Sequence, residues 1–268
     1  MVDLHTHIIP GIDDGAQTLD ESLEMARLAV ADGITTLAAT PHAYWRGEVN
    51  SGPTIRGGVA ELTAQFVVQD IPLKLVTGAE VPMERHLVNK VRSDHSWTYG
   101  GNGIYLLLEP PWGPIPDYAL RLVAELIQND ITPLIAHPER NPDLRSNFSL
   151  LDRMLQLGAV AQITANSILG NHGVASRLAA LKMLETSRAH VVSSDAHNTD
   201  TRPPMLSEAR AVVTDMLGED PARLLFEENP YRVLKGQPLL AVPGAPPSAR
   251  SSAPSGNILT RVINRLRR

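Results

Sequence analysis

His5 and His7 stand two residues apart in Val2-Asp3-Leu4-His5-Thr6-His7, at the start of a chain of 268 residues. In a strand, side chains alternate with period two, so both imidazoles would point to one side. Two neutral imidazoles aimed at one point form half of a divalent-metal site. A pair of histidines at a frayed terminus is the plainer alternative, and the remaining histidines and carboxylates decide between the two.

Those residues fall at the ends of apolar, β-rich stretches. The spacing predicts strands over 35–40, 73–77, 104–108, 132–136, 159–164 and 190–194, in addition to the first. The second strand runs into Thr40-Pro41-His42, the third into Gly78-Ala79-Glu80 and the fourth into Glu109-Pro110. The fifth runs into His137-Pro138-Glu139-Arg140 and the seventh into Ser194-Asp195-Ala196-His197. Singly, each has an ordinary explanation as a solvated acid or a loop histidine. Together they place five of the nine histidines, with several carboxylates, at matching strand ends. His86, His95, His172 and His190 fall at no such junction and read as structural or surface residues.

Helical patterns separate the strands, over 19–31, 59–68, 118–128, 150–157, 175–186 and 204–217. Thr18-Leu19-Asp20-Glu21 has the form of a capping box at the first of them. The segment 44–58, rich in glycine and polar residues, reads as loose structure. Strands alternating with helices imply a parallel sheet with right-handed crossovers, and seven such units at this length suggest a closed or distorted barrel. In such barrels the active site lies at the C-terminal strand ends, where these polar residues stand. No glycine-rich phosphate loop or dinucleotide fingerprint is present.

Composition narrows the chemistry. Hydrophobic residues make up 43% and charged residues 20% of the chain, the balance of a globular protein. Cysteine is absent, which excludes a disulfide framework, a thiolate nucleophile and a zinc-thiolate site. Any metal must be held by nitrogen and oxygen. A formal net charge of −5 gives no reason to expect nucleic-acid binding. Without a membrane-length apolar run or a signal-peptide pattern, the expected location is the cytoplasm.

The ordered set His5-x-His7, Asp13-Asp14-Gly15, Thr40-Pro41-His42, Gly78-Ala79-Glu80, Glu109, His137-x-Glu139-Arg140, Asp195-x-His197-Asn198 and Arg202-Pro203-Pro204 resembles the polymerase and histidinol phosphatase (PHP) superfamily. Within it, the chain is similar to the bacterial metal-dependent protein-tyrosine phosphatases encoded with capsule and exopolysaccharide genes, the CpsB/YwqE type. The resemblance runs from His5 to about Leu234 and leaves out the tail. Histidinol phosphatases tend to carry histidine where this chain has Asp14 and Glu109.

The resemblance implies a distorted (β/α)7 TIM-like barrel with three divalent metal ions, manganese first, with iron or zinc as alternatives. It implies that His5, His7, Glu80 and Asp195 hold the first ion and that Glu80 bridges to a second completed by Glu109 and His137. Asp14, His42 and His197 would hold the third. Asp14, Glu80, Glu109 and Asp195 against three such ions would leave roughly two positive charges, which suits a phosphate dianion. The implied reaction is attack by metal-activated water, without a phosphoenzyme. The implied substrate is phosphotyrosine on a bacterial tyrosine kinase that regulates capsule or exopolysaccharide synthesis. The alternatives are a small-molecule phosphoesterase of the same superfamily, such as one acting on histidinol phosphate, and a non-catalytic module that has kept the barrel.

Arg140 and Arg202 are candidates for clamping phosphate oxygens, because a guanidinium fork matches that geometry and charge. The alternative for Arg140 is a salt bridge to a neighbouring acid such as Glu139. Tyr44, Trp45 and Arg46 form a candidate rim for an aromatic ring, with ordinary loop packing as the alternative. A phenolate leaving group, with a pKa of about 10, lessens the need for a general acid.

The organisation expected is a metallophosphatase domain over 1–240, a flexible Pro/Ala/Ser linker over 241–256 and a basic amphipathic tail over 257–268. The tail reads either as a solubilising extension or as a surface-seeking helix that contacts the inner membrane face.

Overall fold

A computed structural model describes residues 1–244 of the chain. Most of the expected linker and all of the expected tail over 257–268 lie outside the described residues.

The first half of the chain runs β1 (Val2–Thr6), α1 (Leu19–Ala31), β2 (Thr36–Ala39), a short hairpin of β3 (Tyr44–Trp45) and β4 (Glu48–Val49), then α2 (Gly52–Val68). It continues with β5 (Lys74–Thr77), β6 (Glu80–Pro82), α3 (Leu87–Ser93), β7 (Tyr105–Glu109), α4 (Ala119–Gln128) and β8 (Thr132–Ala136). Then come α5 (Pro142–Asn147), α6 (Ser149–Gln156), β9 (Val160–Thr164), α7 (Ala165–Leu169), α8 (Gly173–Glu185) and β10 (Val191–Ser193). Helices α9 (Ser207–Leu217), α10 (Glu219–Arg223) and α11 (Asn229–Leu234) close the described part.

The strands form two parallel arcs, β1-β2-β5 and β10-β9-β8-β7-β6. β5 and β6 continue one another across Gly78-Ala79 and occupy one strand position. The arcs meet at two seams, each held by a single bridge: His42 with Glu80, and Thr6 with Ala196. At the second seam Asp195 N donates to His5 O (2.9 Å) and His7 N donates to Ala196 O (2.8 Å). Pairing runs through each arc, with one register shift between β1 and β2, and is reduced to isolated bridges at the seams, which makes this a distorted barrel of seven strand positions, as expected. Both seams fall at the C-terminal strand ends, where backbone freed from regular pairing can aim side chains inward.

Burial on both faces fixes the strand register. In β7, Leu106 and Leu108 join the large apolar cluster shared with the helices. Tyr105 and Leu107 join a smaller one with Leu4, Ala38, Leu134, Ala136 and Val191. The face that carries Leu107 carries Glu109 two residues later, so the apolar filling gives way to polar groups at the strand end. Helix α4 buries Ala119, Leu122, Val123 and Leu126, an i, i+3, i+4, i+7 stripe against the sheet. Burying Leu122 and Leu126 contributes about 1.5–3 kcal/mol each.

Three local expectations need correction. Helix α2 begins at Gly52, inside the segment read as loose, with Ser51 as N-cap and Pro53 in the first turn. Two of its glycines are packing positions: a Cβ at Gly58 would lie 2.5 Å from Ile9 Cγ2, and one at Gly52 would lie 2.1 Å from Ser96. Helix α9 starts at Ser207 and not at 204. Its first amides donate to a distant carboxylate, Asp32, from Leu206 N (2.6 Å) and Ser207 N (2.9 Å). At α1, Thr18 caps Glu21 N as expected (3.2 Å), while Glu21 reaches back to Gln17 N (2.8 Å), one residue beyond the N-cap.

Candidate metal centre

Strand β1 positions His5 and His7, and both are fully buried. Their Nε2 atoms lie 3.2 Å apart. Glu80 Oε2, at the start of β6, is 3.2 Å from His5 Nε2 and 3.3 Å from His7 Nε2. His42 Nδ1 approaches the same oxygen at 3.3 Å, and His137 Nε2 lies 2.9 Å from Glu80 Oε1. Glu80 is therefore the hub of the cluster.

All nine residues expected to hold metal come together. His5, His7 and Glu80 form one group whose donor atoms lie within 4.8 Å of one another; His7, Asp14, His42 and His197 form a second. His5, His137 and Asp195 form a third group on the same criterion of 4.8 Å, and His42, Glu80 and Glu109 a fourth. A cavity of about 420 Å³ opens over them, with Tyr44, Trp45, Trp112, Arg140 and Arg202 also in its wall. Arg46 leans over the Trp45 ring, 5.7 Å from its centroid, and lines the adjoining cavity.

Two of the nine hold left-handed backbone within two residues of a strand end. His137 follows β8 with φ 32°, and Asp195 follows β10 with φ 56°. Such conformations in non-glycine residues cost on the order of 1–3 kcal/mol and persist where the surroundings enforce them.

Arg140 and Arg202 converge on one carboxylate oxygen. Arg140 Nη1 donates to Asp195 Oδ2 at 2.5 Å and Arg202 Nη2 to the same atom at 2.6 Å. The salt bridge weighed for Arg140 is therefore made, but to Asp195 and not to Glu139, which is fully buried and accepts from Thr164 N (2.9 Å). Arg202 Nε is buried without a hydrogen-bond partner.

The groups that orient the cluster are less evident from sequence. His7 Nδ1 donates to Asp13 Oδ2 (2.7 Å), and Asp13 also accepts from His42 N and Gly15 N (both 3.0 Å). Gly15 has no room for a side chain, since a Cβ there would lie 2.0 Å from His7 O. This explains Asp13-Asp14-Gly15 physically: Asp13 braces an imidazole, Asp14 faces the cluster, and Gly15 lets the loop touch β1. His5 Nδ1 donates to Gln162 Oε1 on β9 (3.2 Å). Buried Asp3 accepts from Ser194 Oγ (2.5 Å) and Ser194 N (3.0 Å), tying the seam. The signal for Asp13 was its place beside Asp14. Gln162 and Asp3 stood out only as polar residues inside apolar strands.

Protonation tests whether the donor set fits a cation. With both Nδ1 atoms donating, the Nε2 lone pairs of His5 and His7 face each other and Glu80 Oε2. Three acceptors this close require added protons or a positive ion. Burial disfavours the imidazolium of His7, yet Asp13 and Glu80 hold its pKa well above the ordinary value. His5 is raised for the same reason, by Glu80 and Asp195 against its own burial. Burial opposes the ionised forms of Glu80 and Asp195, but neighbouring histidines, and Arg202 for Asp195, keep both below the carboxylate range. Glu109 is pushed up to about 7 by burial and by the charge of Glu80. Burial and the charge of His7 bring His197 down to about 4. The field of the site draws positive charge, and a hard set of nitrogen and oxygen donors without sulfur suits divalent ions.

The histidines set aside from sequence stay out of the cavity wall. His190 exchanges backbone and ring hydrogen bonds with Ala161. His172, read as structural or surface, feels the site: burial and the nearby charge of Arg140 bring it down to about 4.

The chain matches the family described as capsular polysaccharide synthesis, CpsB/CapC, over residues 1–235. It is 34% identical over 250 residues to the tyrosine-protein phosphatase YwqE of Bacillus subtilis, covering 93% of this chain and 98% of that protein. The tyrosine-protein phosphatase CpsB of Streptococcus pneumoniae is 26% identical over 244 residues, with 88% of this chain and 99% of that protein covered. A crystal structure from work on YwqE of B. subtilis and CpsB of S. pneumoniae, described as metal-dependent tyrosine phosphatases, superposes with a TM-score of 0.85 at 34% identity. That match covers 92% of this chain and 100% of the other. The lactonase Lmo2620 of Listeria monocytogenes, at 12% identity and a TM-score of 0.51, shares the fold alone. The extent of these matches, together with the clustered site residues, establishes that the chain belongs to the CpsB/CapC family.

Proposed function

We propose that this protein is a metal-dependent protein-tyrosine phosphatase. The observation that carries the reading is one site: nine converging nitrogen and oxygen donor residues, Glu80 at their centre, beside two arginines pinned by Asp195. The activities named for YwqE and CpsB support the same reading. His5, His7, Asp14, His42, Glu80, Glu109, His137, Asp195 and His197 are the proposed ligands of three divalent ions, manganese first.

Bound ions supply Lewis acidity and an activated water for in-line attack at phosphorus. The chain's own residues do the rest. Asp13 and Gln162 hold the imidazoles of His7 and His5 with Nε2 turned toward the cluster. Asp195 fixes Arg140 and Arg202 in advance, so little side-chain entropy is lost when their remaining donors meet phosphate oxygens. The cavity of about 420 Å³ accommodates one phosphorylated side chain.

The proposed substrate is phosphotyrosine on a bacterial tyrosine kinase of capsule or exopolysaccharide synthesis. No helix among the described residues is long and apolar enough to cross a membrane. We place the enzyme in the cytoplasm, with the arginines of the tail, Arg261, Arg265, Arg267 and Arg268, drawing it toward the inner membrane face. Asp14 and Glu109, where histidinol phosphatases tend to carry histidine, favour the protein substrate over histidinol phosphate. Turnover of a phosphotyrosine peptide compared with histidinol phosphate tests the assignment. A preference for the peptide is expected, and a preference for histidinol phosphate would overturn it.

A further inference from the structure

Trp112 is a large apolar side chain left 62% exposed, and it stands in the wall of the cavity over the metal centre. Its ring stacks on His137 (centroids 5.9 Å apart, 17° between planes), and the Arg140 guanidinium carbon lies 4.5 Å from its centroid. Trp45 has the corresponding relation to His42, with centroids 5.5 Å apart and 5° between planes. The two imidazoles contact different oxygens of Glu80, His42 at Oε2 (3.3 Å) and His137 at Oε1 (2.9 Å). One indole thus backs each of the two histidines that flank the central carboxylate.

An exposed tryptophan leaves much apolar surface in water, which is unfavourable unless something covers it. Neither imidazole does so, since each indole still borders open cavity. A phosphorylated aromatic side chain presents a dianionic end and a flat apolar end. The arginines and the ligand cluster suit the first, and nothing else in the wall suits the second as well as two indoles.

We propose that Trp112 and Trp45 form an aryl clamp that selects phosphate esters of aromatic alcohols. The clamp rests on the phosphatase reading and adds to it the residues that read the leaving group. Trp45 is attached to the β3–β4 hairpin, and its neighbour Tyr44 is pinned by a hydrogen bond to Glu84 (3.0 Å) and by Lys90 Nζ (2.7 Å). That wall is therefore preformed. Trp112 follows β7 in the Pro110-Pro111-Trp112 turn and supplies the exposed wall. Aromatic pairs of this kind favour the ring over an aliphatic group by roughly three- to tenfold.

The test uses phenylphosphonate and methylphosphonate, which share the charged end and lack a leaving group. Calorimetric titration of manganese-loaded wild-type protein is expected to show tighter binding of the phenyl compound. In Trp112→Ala that ratio should shrink by roughly three- to tenfold, in Trp45→Ala by a similar factor, and Trp112→Phe should restore most of it. Equal weakening of both ligands in Trp112→Ala would mean that Trp112 acts only through Arg140, and would overturn the clamp. Equal affinity of wild-type protein for the two compounds, or no binding of either, would overturn it as well. The wild-type protein is assayed in parallel on a phosphotyrosine peptide. Turnover of the peptide with an unchanged phosphonate ratio in the variants defeats the clamp alone, whereas no turnover defeats the phosphatase reading and the clamp with it.

Discussion

Asp13 Oδ2 lies 2.7 Å from His7 Nδ1, and both groups are shut away from solvent. The contact fixes which imidazole nitrogen carries the proton and turns Nε2 toward Glu80. Removing such a support costs about 10–100-fold in metal affinity. Asp13→Ala should therefore bind manganese that much more weakly, with its circular dichroism spectrum retained. Competition titration against a chelating dye measures it; wild-type affinity would show that Asp13 has no orienting role.

Glu80 touches four histidines, whereas His86 stands outside the cavity wall at the start of α3. Glu80→Ala should lose most bound metal and nearly all phosphatase activity, while His86→Ala should keep both. Elemental analysis with a phosphatase assay separates the two, and equal effects would contradict the role given to Glu80.

Arg140 donates to Asp195 and to no other carboxylate of the cluster. Arg140→Ala should retain wild-type metal content and lose roughly 100-fold or more in kcat, the scale seen when a donor to developing charge is removed. A variant that instead loses metal would make Arg140 a support of Asp195 and not a phosphate clamp.

The basic tail is a separate matter. Each cationic residue near an anionic bilayer contributes about 1 kcal/mol, so full-length protein should sediment with anionic vesicles more than a version ending at Pro243. Neutral vesicles should retain neither. Equal sedimentation of the two forms on anionic vesicles would end the case for membrane recruitment.

The parts of the fold legible in sequence are those set by local pattern. Glu109 and His137 could be placed because an apolar run ends immediately before each, and a parallel strand carries its chemistry at that end. The start of α2 was hidden because Gly52 and Gly58 answer to Ser96 and Ile9, contacts that no local propensity reports. Helix α9 was misplaced for the same reason, since its cap, Asp32, lies 174 residues before Leu206. Within the site, the residues that converge on Glu80 form recognisable motifs, but their supports do not. Gln162 holds His5 across 157 residues of sequence, and Trp112 is a lone aromatic after two prolines until the fold sets it against His137 and Arg140.

The cluster around Glu80 is proposed to hold divalent ions on which phosphotyrosine hydrolysis depends. The most direct measurement is turnover of a phosphotyrosine peptide as manganese is returned to protein stripped by chelation, with bound metal quantified at each step. No turnover is expected in the stripped protein, with activity that rises with bound metal to a plateau. Undiminished turnover by protein verified to be metal-free would contradict it.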